Sequence, residues 1–396
     1  MRVPRFEPFP ALRYAPGVDL DQAAAPPYDV LSAEDVAVWR GRHPRNIVEI
    51  DVPGPDDDPE RYHRAARRLR AWEDEGSLVR DDAPTFTIYR TRFRTEDGTE
   101  RETVGVLGAL EVVDEGAGGV LPHERTTPKA KTDRLDLTRA TEANLSPVWG
   151  LSLTPGLTDL LVAPAEPVGR CLDEHGVVHT VERVVDAARI EAIAAAVAAH
   201  PVLIADGHHR YAISRTYRDE RRATDGAGPW DLTLTYVGEL VESQLSIDAI
   251  HRLYHGVDAD DLLALLGRSF DVTPAGTVAP SFGRDAVDRG ALCLVRPDGT
   301  GAWLAPRADA FDGVRRLDGA LLEHALRDTE IEVTYQHGVQ HVVDIVGAGG
   351  AAAGVLIRPT GIDEIRRTAD EGLLMPPKST FFTPKLRTGL VVRPLV

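Results

Sequence analysis

"PVLIADGHHRYAISRTY", residues 201–217, decides how this chain is read. A short, fully apolar run ending at Ala205 reads as a buried strand. Asp206-Gly207 then turns the backbone, and the residues that follow fall at once into helical spacing. That helix opens on His208, His209 and Arg210. A helix N-terminus offers free amides and the positive end of the macrodipole, and a glycine before it lets the backbone approach a ligand closely. Such a place binds anions, and His208, His209 and Arg210 would add charged donors to phosphate oxygens. Asp206 can cap the helix, hold a magnesium ion or bind a substrate hydroxyl. The plainer reading is an ordinary Asp-Gly turn with two surface histidines. Crowding Asp, His, His and Arg onto one helix start behind a buried strand favours the anion site. Adjacent His208 and His209 point about 100° apart on a helix, which disfavours a metal shared between them.

Working outward, "VVHTVERVV" reads as a strand, "DAARIEAIAAAVAAH" as a helix and "LTLTYVGEL" as a further strand. The organisation is therefore mixed α/β. Nearer the N-terminus, "SAEDVAVWRGR" offers Ser32 as an N-cap, and "NIVEIDV" reads as a strand. "DPERYHRAARRLRAWEDEG" places Tyr62, Ala65, Ala66, Leu69 and Trp72 at helical spacing and stops at Gly76. "TFTIYRTRFR" and "RETVGVLGALEVV" form a hairpin across Asp97-Gly98. Residues 114–150 read as a long polar connection, and loops of that length tend to be functional or disordered. "GLVVRPLV" closes the chain as a strand. Three regions are expected: 1–113, an N-terminal α/β region; 114–255, a catalytic core; and 256–396, a C-terminal α/β region whose loop 375–388 returns to the site.

The composition, 43% apolar and 27% charged over 396 residues, is that of a globular protein with a real core. A net charge of −17 repels nucleic-acid phosphates, and no helix-turn-helix module is visible. No run approaches the roughly 20 apolar residues of a membrane span, and the N-terminus has no apolar targeting segment, so a cytoplasmic protein is expected. Cys171 and Cys293 have no ligand-like spacing.

Of 45 basic residues only four are lysines: Lys129, Lys131, Lys378 and Lys385. A GC-rich coding bias explains the scarcity but not the positions, which fall in two short windows. Lysine is a compact point charge on a flexible stem and can reach between phosphate groups where a planar guanidinium would not fit. "HERTTPKAKTDRLDLTR" (123–139) thus offers Lys129, Lys131 and Arg134 to a polyphosphate, and Glu124 as the carboxylate that accepts a hydroxyl proton. The bland alternatives are lysines surviving by chance and a surface Glu124 paired with Arg125. In "MPPKSTFFTPK" (375–385) Lys378 and Ser379 could reach a site built elsewhere, and Phe381-Phe382 could stack on a base. The segment lacks the glycines of a true phosphate loop. "APPYDVLS" could bring Tyr28 and Asp29 to the rim, or be a rigid turn.

"ADGHHRYAISRTY" resembles the phosphate-binding motif shared by ParB-like nucleotide-binding domains, sulfiredoxin and the free serine kinases. A wider resemblance rests on "APPYDVLS" (25–32), "HPRNIVEIDVP" (43–53), "HERTTPKAKTDRLDLTRATEANLSPVWGL" (123–151), "ADGHHRYA" (205–212), "HRLY" (251–254) and "MPPKSTFFTPKLRTGLV" (375–391). Together these resemble the prokaryotic domain-of-unknown-function family 1015, linked to serine metabolism. The resemblances imply an α/β (mixed α+β) fold, with a ParB/sulfiredoxin-like core and additional mixed-sheet regions. They imply a kinase that moves a phosphoryl group from ATP or ADP, with Mg2+, onto a small hydroxyl substrate, most of all free L-serine. The catalytic set would be Glu124, Asp206, His209 and Lys129, with Asp206 on the metal. Gly207, His208, Arg210, Lys131, Arg134, Lys378 and Ser379 would hold phosphates. Free serine kinases use a glutamate closer to the motif than Glu124 is, which leaves Glu49 and Asp51 open as the base. A phosphoserine phosphatase and a ParB-like nucleotide-binding regulator would use many of the same parts.

Overall fold

Val202–Asp206 is a strand and His208–Asp225 a helix in the computed structural model, which describes residues 2–55, 57–95, 99–122 and 131–396. Val202 and Leu203 are wholly buried, as a fully apolar run next to a turn requires, and burial of each such side chain stabilises the fold by about 1.5–3 kcal/mol. The fold is mixed α/β, with helices and mixed sheets alternating along the chain. Its described residues form two compact units: those within 2–122 and 131–245 with Pro384–Val396 in one, and Ser246–Thr383 in the other.

The first unit is built on a sheet of nine strands among the described residues. Val120–Pro122 lies at one edge and runs parallel to Val202–Asp206. Next come Val148–Ser152, antiparallel to it, and Leu232–Glu239, parallel to Val148–Ser152. The rest is antiparallel: Glu100–Glu111, Phe86–Arg94, Val178–Val184 and Glu166–Leu172, with Phe6–Glu7 added to Glu100–Glu111. Strands from residues 1–113 and from 114–255 thus share one sheet. Phe6, Phe86, Ile88, Leu110, Val202 and Ile204 meet in its main core, where Tyr211 of the long helix is also buried. A second core gathers Leu12, Trp39, Ile47, Ile50, Leu69, Trp72, Leu137 and Val392.

Local chemistry sets several boundaries. Ser32 caps the helix Ala33–Arg42: the Asp35 amide donates to Ser32 Oγ at 3.1 Å, and the Ser32 amide donates back to the Asp35 carboxylate at 2.9 Å. A cap of this kind is worth about 1 kcal/mol. Arg61–Asp74 is helical and Gly76 follows it at φ +74°. Three expectations are corrected. "NIVEIDV" is not a strand but contains the short helix Val48–Asp51, because the Asn46 side chain accepts from the Val48 amide at 3.0 Å. The polar connection 114–150 contains the helix Lys131–Thr141 and the buried strand Val148–Ser152. In "GLVVRPLV" only Arg393–Pro394 pairs as a strand, against Ala143–Asn144, with a single bridge from Val392 to Leu12 before it. The expected Asp97-Gly98 turn lies outside the described residues.

In the second unit, six antiparallel strands run in the order Phe270–Thr277, Thr300–Pro306, Leu292–Val295, Ala353–Leu356, Ile250–His255, Glu332–His337. His251 is buried on the fifth, and its Nδ1 accepts from the Ile357 amide at 3.2 Å, a role open only to neutral imidazole. Burial, then Arg252 and His337 nearby, push its pKa down to about 4. Between pH 6.5 and 4 the unfolded chain therefore binds a proton that the folded one refuses. Stability should fall as pH drops through that window, by as much as about 3 kcal/mol from this group. His179, buried in the first unit, acts with the same sign. His251→Gln should accordingly flatten the pH dependence of the urea midpoint without removing it, and an unchanged slope would exclude His251 as a source.

Candidate functional site

The turn between Val202–Asp206 and His208–Asp225 is open only to glycine. Gly207 sits at φ +83° and ψ 28°, and a Cβ there would lie 3.1 Å from Arg210 Nε and Cζ and 3.3 Å from Val148 Cα. Its carbonyl accepts from the Tyr211 amide at 2.9 Å, so the helix begins at once. Arg210, one turn in, is fixed on three sides. It donates to Asp206 Oδ2 at 2.9 Å and to the Pro147 carbonyl, and lies 3.5 Å from Asp29 Oδ2. Its Nε is a buried donor with no acceptor among the described residues.

Lys385 completes the group: its Nζ is 3.4 Å from Asp206 Oδ2. Burial alone would raise the Asp206 pKa, but Lys385, Arg210 and His208 outweigh it and hold the carboxyl far below its ordinary range. Asp206 is thus an ionised carboxylate between two cations. A narrow cleft lined by Pro27, Ser146, Trp149, Asp206, Arg210 and Lys385 lies here. The helix N-terminus, the Arg210 and Lys385 cations gathered beside it and the spare Arg210 donor all favour an anion.

Behind Arg210 lies a second charged cluster. Arg134 donates to the Asp51 carbonyl at 2.6 Å, to Asp51 Oδ1 at 3.2 Å and to Asp133 Oδ2 at 2.8 Å, and its guanidinium lies 4.2 Å from the Tyr28 ring centre. Asp133 also accepts from Arg61 and Tyr62, at 2.7 and 2.9 Å. Asp51 is buried, and burial raises its pKa against the pull of Arg134 and Arg210. Glu49, the other carboxylate of this stretch, is paired instead with Arg68 and Arg40.

The structure therefore brings Asp206, Gly207, His208, His209 and Arg210 together at the helix start, with both histidines half-buried in the first turn. Arg134 lies on the far side of Arg210, held by two carboxylates. Tyr28 and Asp29, on the 3-10 turn Tyr28–Val30, stand at these residues. Glu124 and Lys129 lie outside the described residues, as does the Lys131 side chain, although Lys131 opens the helix Lys131–Thr141. Lys378 and Ser379 belong to the second unit. There Lys378 adopts φ +58°, its carbonyl accepts from Arg252, and Ser379 Oγ donates to the Pro376 carbonyl at 2.7 Å. Phe381 stacks on His337 in the same unit, ring centres 4.7 Å apart. Sequence reasoning passed over Lys385. The scarcity of lysine pointed to it as strongly as to the other three.

Asp206 does not fit a resident magnesium ion. It is one carboxylate already flanked by two cations, and no group of three or more His, Cys, Asp or Glu among the described residues could hold a metal. Magnesium would enter only as the counter-ion of a bound polyphosphate. No helix among the described residues is long and apolar enough to cross a membrane.

A family model described as "Protein of unknown function (DUF1015)" matches residues 6–320. No curated protein matches the sequence. Similar solved structures include a conserved hypothetical protein from Pyrococcus furiosus, 14% identical over 68% of this chain and 92% of that one, with a TM-score of 0.36. A free serine kinase in complex with AMP is 15% identical over 68% of this chain and 88% of its own, with a TM-score of 0.36. SbnI with a C-terminal truncation, from Staphylococcus aureus, is 13% identical over 72% and 87%, with a TM-score of 0.39. Likeness at this level says nothing of this chain's chemistry.

Proposed function

The chain belongs to the DUF1015 family, and on that premise we propose that it is a nucleotide-dependent phosphotransferase whose acceptor is a small alcohol, most of all free L-serine. One observation carries this reading. Arg210 and Lys385, far apart in sequence, converge on Asp206 at a glycine-turned helix N-terminus, and Arg210 keeps a buried donor to spare. The motif resemblance of "ADGHHRYAISRTY" supports it.

In this reading Gly207, His208, Arg210 and Lys385 take the donor's phosphate oxygens. His209 and Asp206 stand beside the reacting phosphoryl group. A bond forms from the acceptor hydroxyl oxygen to phosphorus as the bond from phosphorus to the nucleotide's bridging oxygen breaks. The hydroxyl proton passes to a carboxylate, Glu124 by the resemblance, and the leaving nucleotide keeps the electron pair. Catalysis of this kind rests on positioning and charge stabilisation rather than on covalent chemistry by the protein. Lys129 and Lys131 are proposed as further phosphate ligands on the sequence argument alone.

The test is a phosphorus balance. Purified protein with ATP or ADP, Mg2+ and L-serine, followed by 31P NMR, should form phosphoserine in step with nucleotide loss. Release of inorganic phosphate from phosphoserine without nucleotide would replace the kinase with a phosphatase. Nucleotide binding with no turnover of any amino acid or small alcohol would point to a regulatory switch.

A further inference from the structure

Tyr28, Asp51, Arg134, Ser146 and Arg210 border a cavity of about 50 Å³ that the phosphate cleft does not use. Ser146 and Arg210 line both spaces, so the two adjoin across a shared wall. Counting about 10–15 Å³ per water-sized group, the cavity takes on the order of four such groups. That is a small molecule and not a nucleobase.

The charges in this cavity are opposed. The buried Asp51 carboxylate stands against Arg134 at 3.2 Å, and Arg210 presents its guanidinium from the helix start. A buried charge is tolerated only when it is paired, and here the pairs are already made, Asp51 with Arg134 and Arg210 with Asp206 and Asp29, so the lining offers both signs and no net excess of either. A ligand carrying one net charge would add a charge that this lining does not balance. A zwitterion brings its own balance, with its ammonium beside Asp51 and its carboxylate beside a guanidinium. We propose that this cavity is the acceptor subsite, that it selects a small α-amino acid over neutral or singly charged alcohols, and that Asp51 is the residue that holds the ammonium. The assignment rests on the phosphotransferase reading for its meaning, but its binding test does not need turnover.

The experiment is calorimetric titration of the full chain, without nucleotide, with L-serine, with 3-hydroxypropionate, which lacks the amine, and with 2-aminoethanol, which lacks the carboxylate. L-Serine should bind at least about tenfold more tightly than either analogue, the scale of one charge-assisted contact. Asp51→Asn should lose that preference over 3-hydroxypropionate while its affinity for ADP stays at the wild-type level. Thr138→Leu, which narrows the cavity and gives up the Thr138 hydroxyl's bond to the Arg134 carbonyl but leaves the side-chain contacts between Arg134 and Asp51 in place, should weaken L-serine and spare ADP. It keeps the test open should Asp51→Asn fail to fold. The assignment is overturned if the wild-type protein binds ADP and no small amino acid, or if Asp51→Asn folds and discriminates as before, or if Thr138→Leu leaves serine affinity untouched. A protein that binds serine through Asp51 yet transfers no phosphoryl group would sink the proposed function and leave this site standing.

Discussion

Gly207→Ala should destabilise the protein by about 2–5 kcal/mol and abolish nucleotide binding. The left-handed backbone at φ +83° costs an L-residue about 1–2 kcal/mol, and the crowding of its new Cβ adds about 1–3 kcal/mol. The crowded atoms belong to Arg210 and to the Val148 backbone. Arg210 cannot swing aside freely, because its guanidinium is tied to Asp206 and to the Pro147 carbonyl. Yielding therefore means breaking the anion site. Gly372, which ends the helix Ile362–Glu371, is the control. It has the same left-handed backbone, φ +63° and ψ 27°, but a Cβ there meets no heavy atom within 4 Å. Gly372→Ala should cost only the backbone term, about 1–2 kcal/mol. Urea unfolding of both variants measures the difference, and ADP titration shows whether only Gly207→Ala loses the ligand. Equal stability losses with nucleotide binding retained in both would remove Gly207 from the site.

Asp206→Asn should separate binding from turnover. The carboxylate lies between Lys385 and Arg210, so its loss leaves two cations facing an incoming anion with less internal compensation. ADP should bind as well as before or better. Phosphoryl transfer should fall by about 10²–10³-fold, the usual scale for one displaced electrostatic partner of the reacting groups. The side chain is 28% exposed, so solvent screening keeps the stability loss to about 1–2 kcal/mol. Unchanged turnover would make Asp206 a structural counter-ion that only holds Arg210 and Lys385 in place.

What the sequence made legible was local. The strand Val202–Asp206, the glycine turn, the long helix and the Ser32 cap follow from residues within a few positions of one another. "NIVEIDV" misled because Ile47, Val48 and Ile50 are all buried, which fits neither an alternating strand nor a one-sided helix. The side chain of Asn46, bonded to the Val48 amide, decides the matter. The helix Lys131–Thr141 was hidden because Leu137 is its one buried large apolar side chain among the described residues. Val148–Ser152 was hidden because five residues carry little period, although all five are buried and the strand lies between Val202–Asp206 and Leu232–Glu239. The candidate site shows the same limit. Asp206 to Arg210 were legible because they are neighbours in sequence. Lys385 reaches Asp206, and Arg134 meets Asp51, only through the folding of distant segments, which one sequence does not encode in any local pattern.

The central claim is that Arg210 and Lys385, gathered on Asp206, receive a nucleotide's phosphates. Titration of ADP against the wild-type protein, Arg210→Ala and Lys385→Met, with each fold checked by thermal unfolding, tests it most directly. Either substitution should weaken ADP by about 10–100-fold, as loss of one charge-assisted phosphate contact implies, while unfolding stays cooperative. ADP affinity equal to wild type in both folded variants would contradict the account.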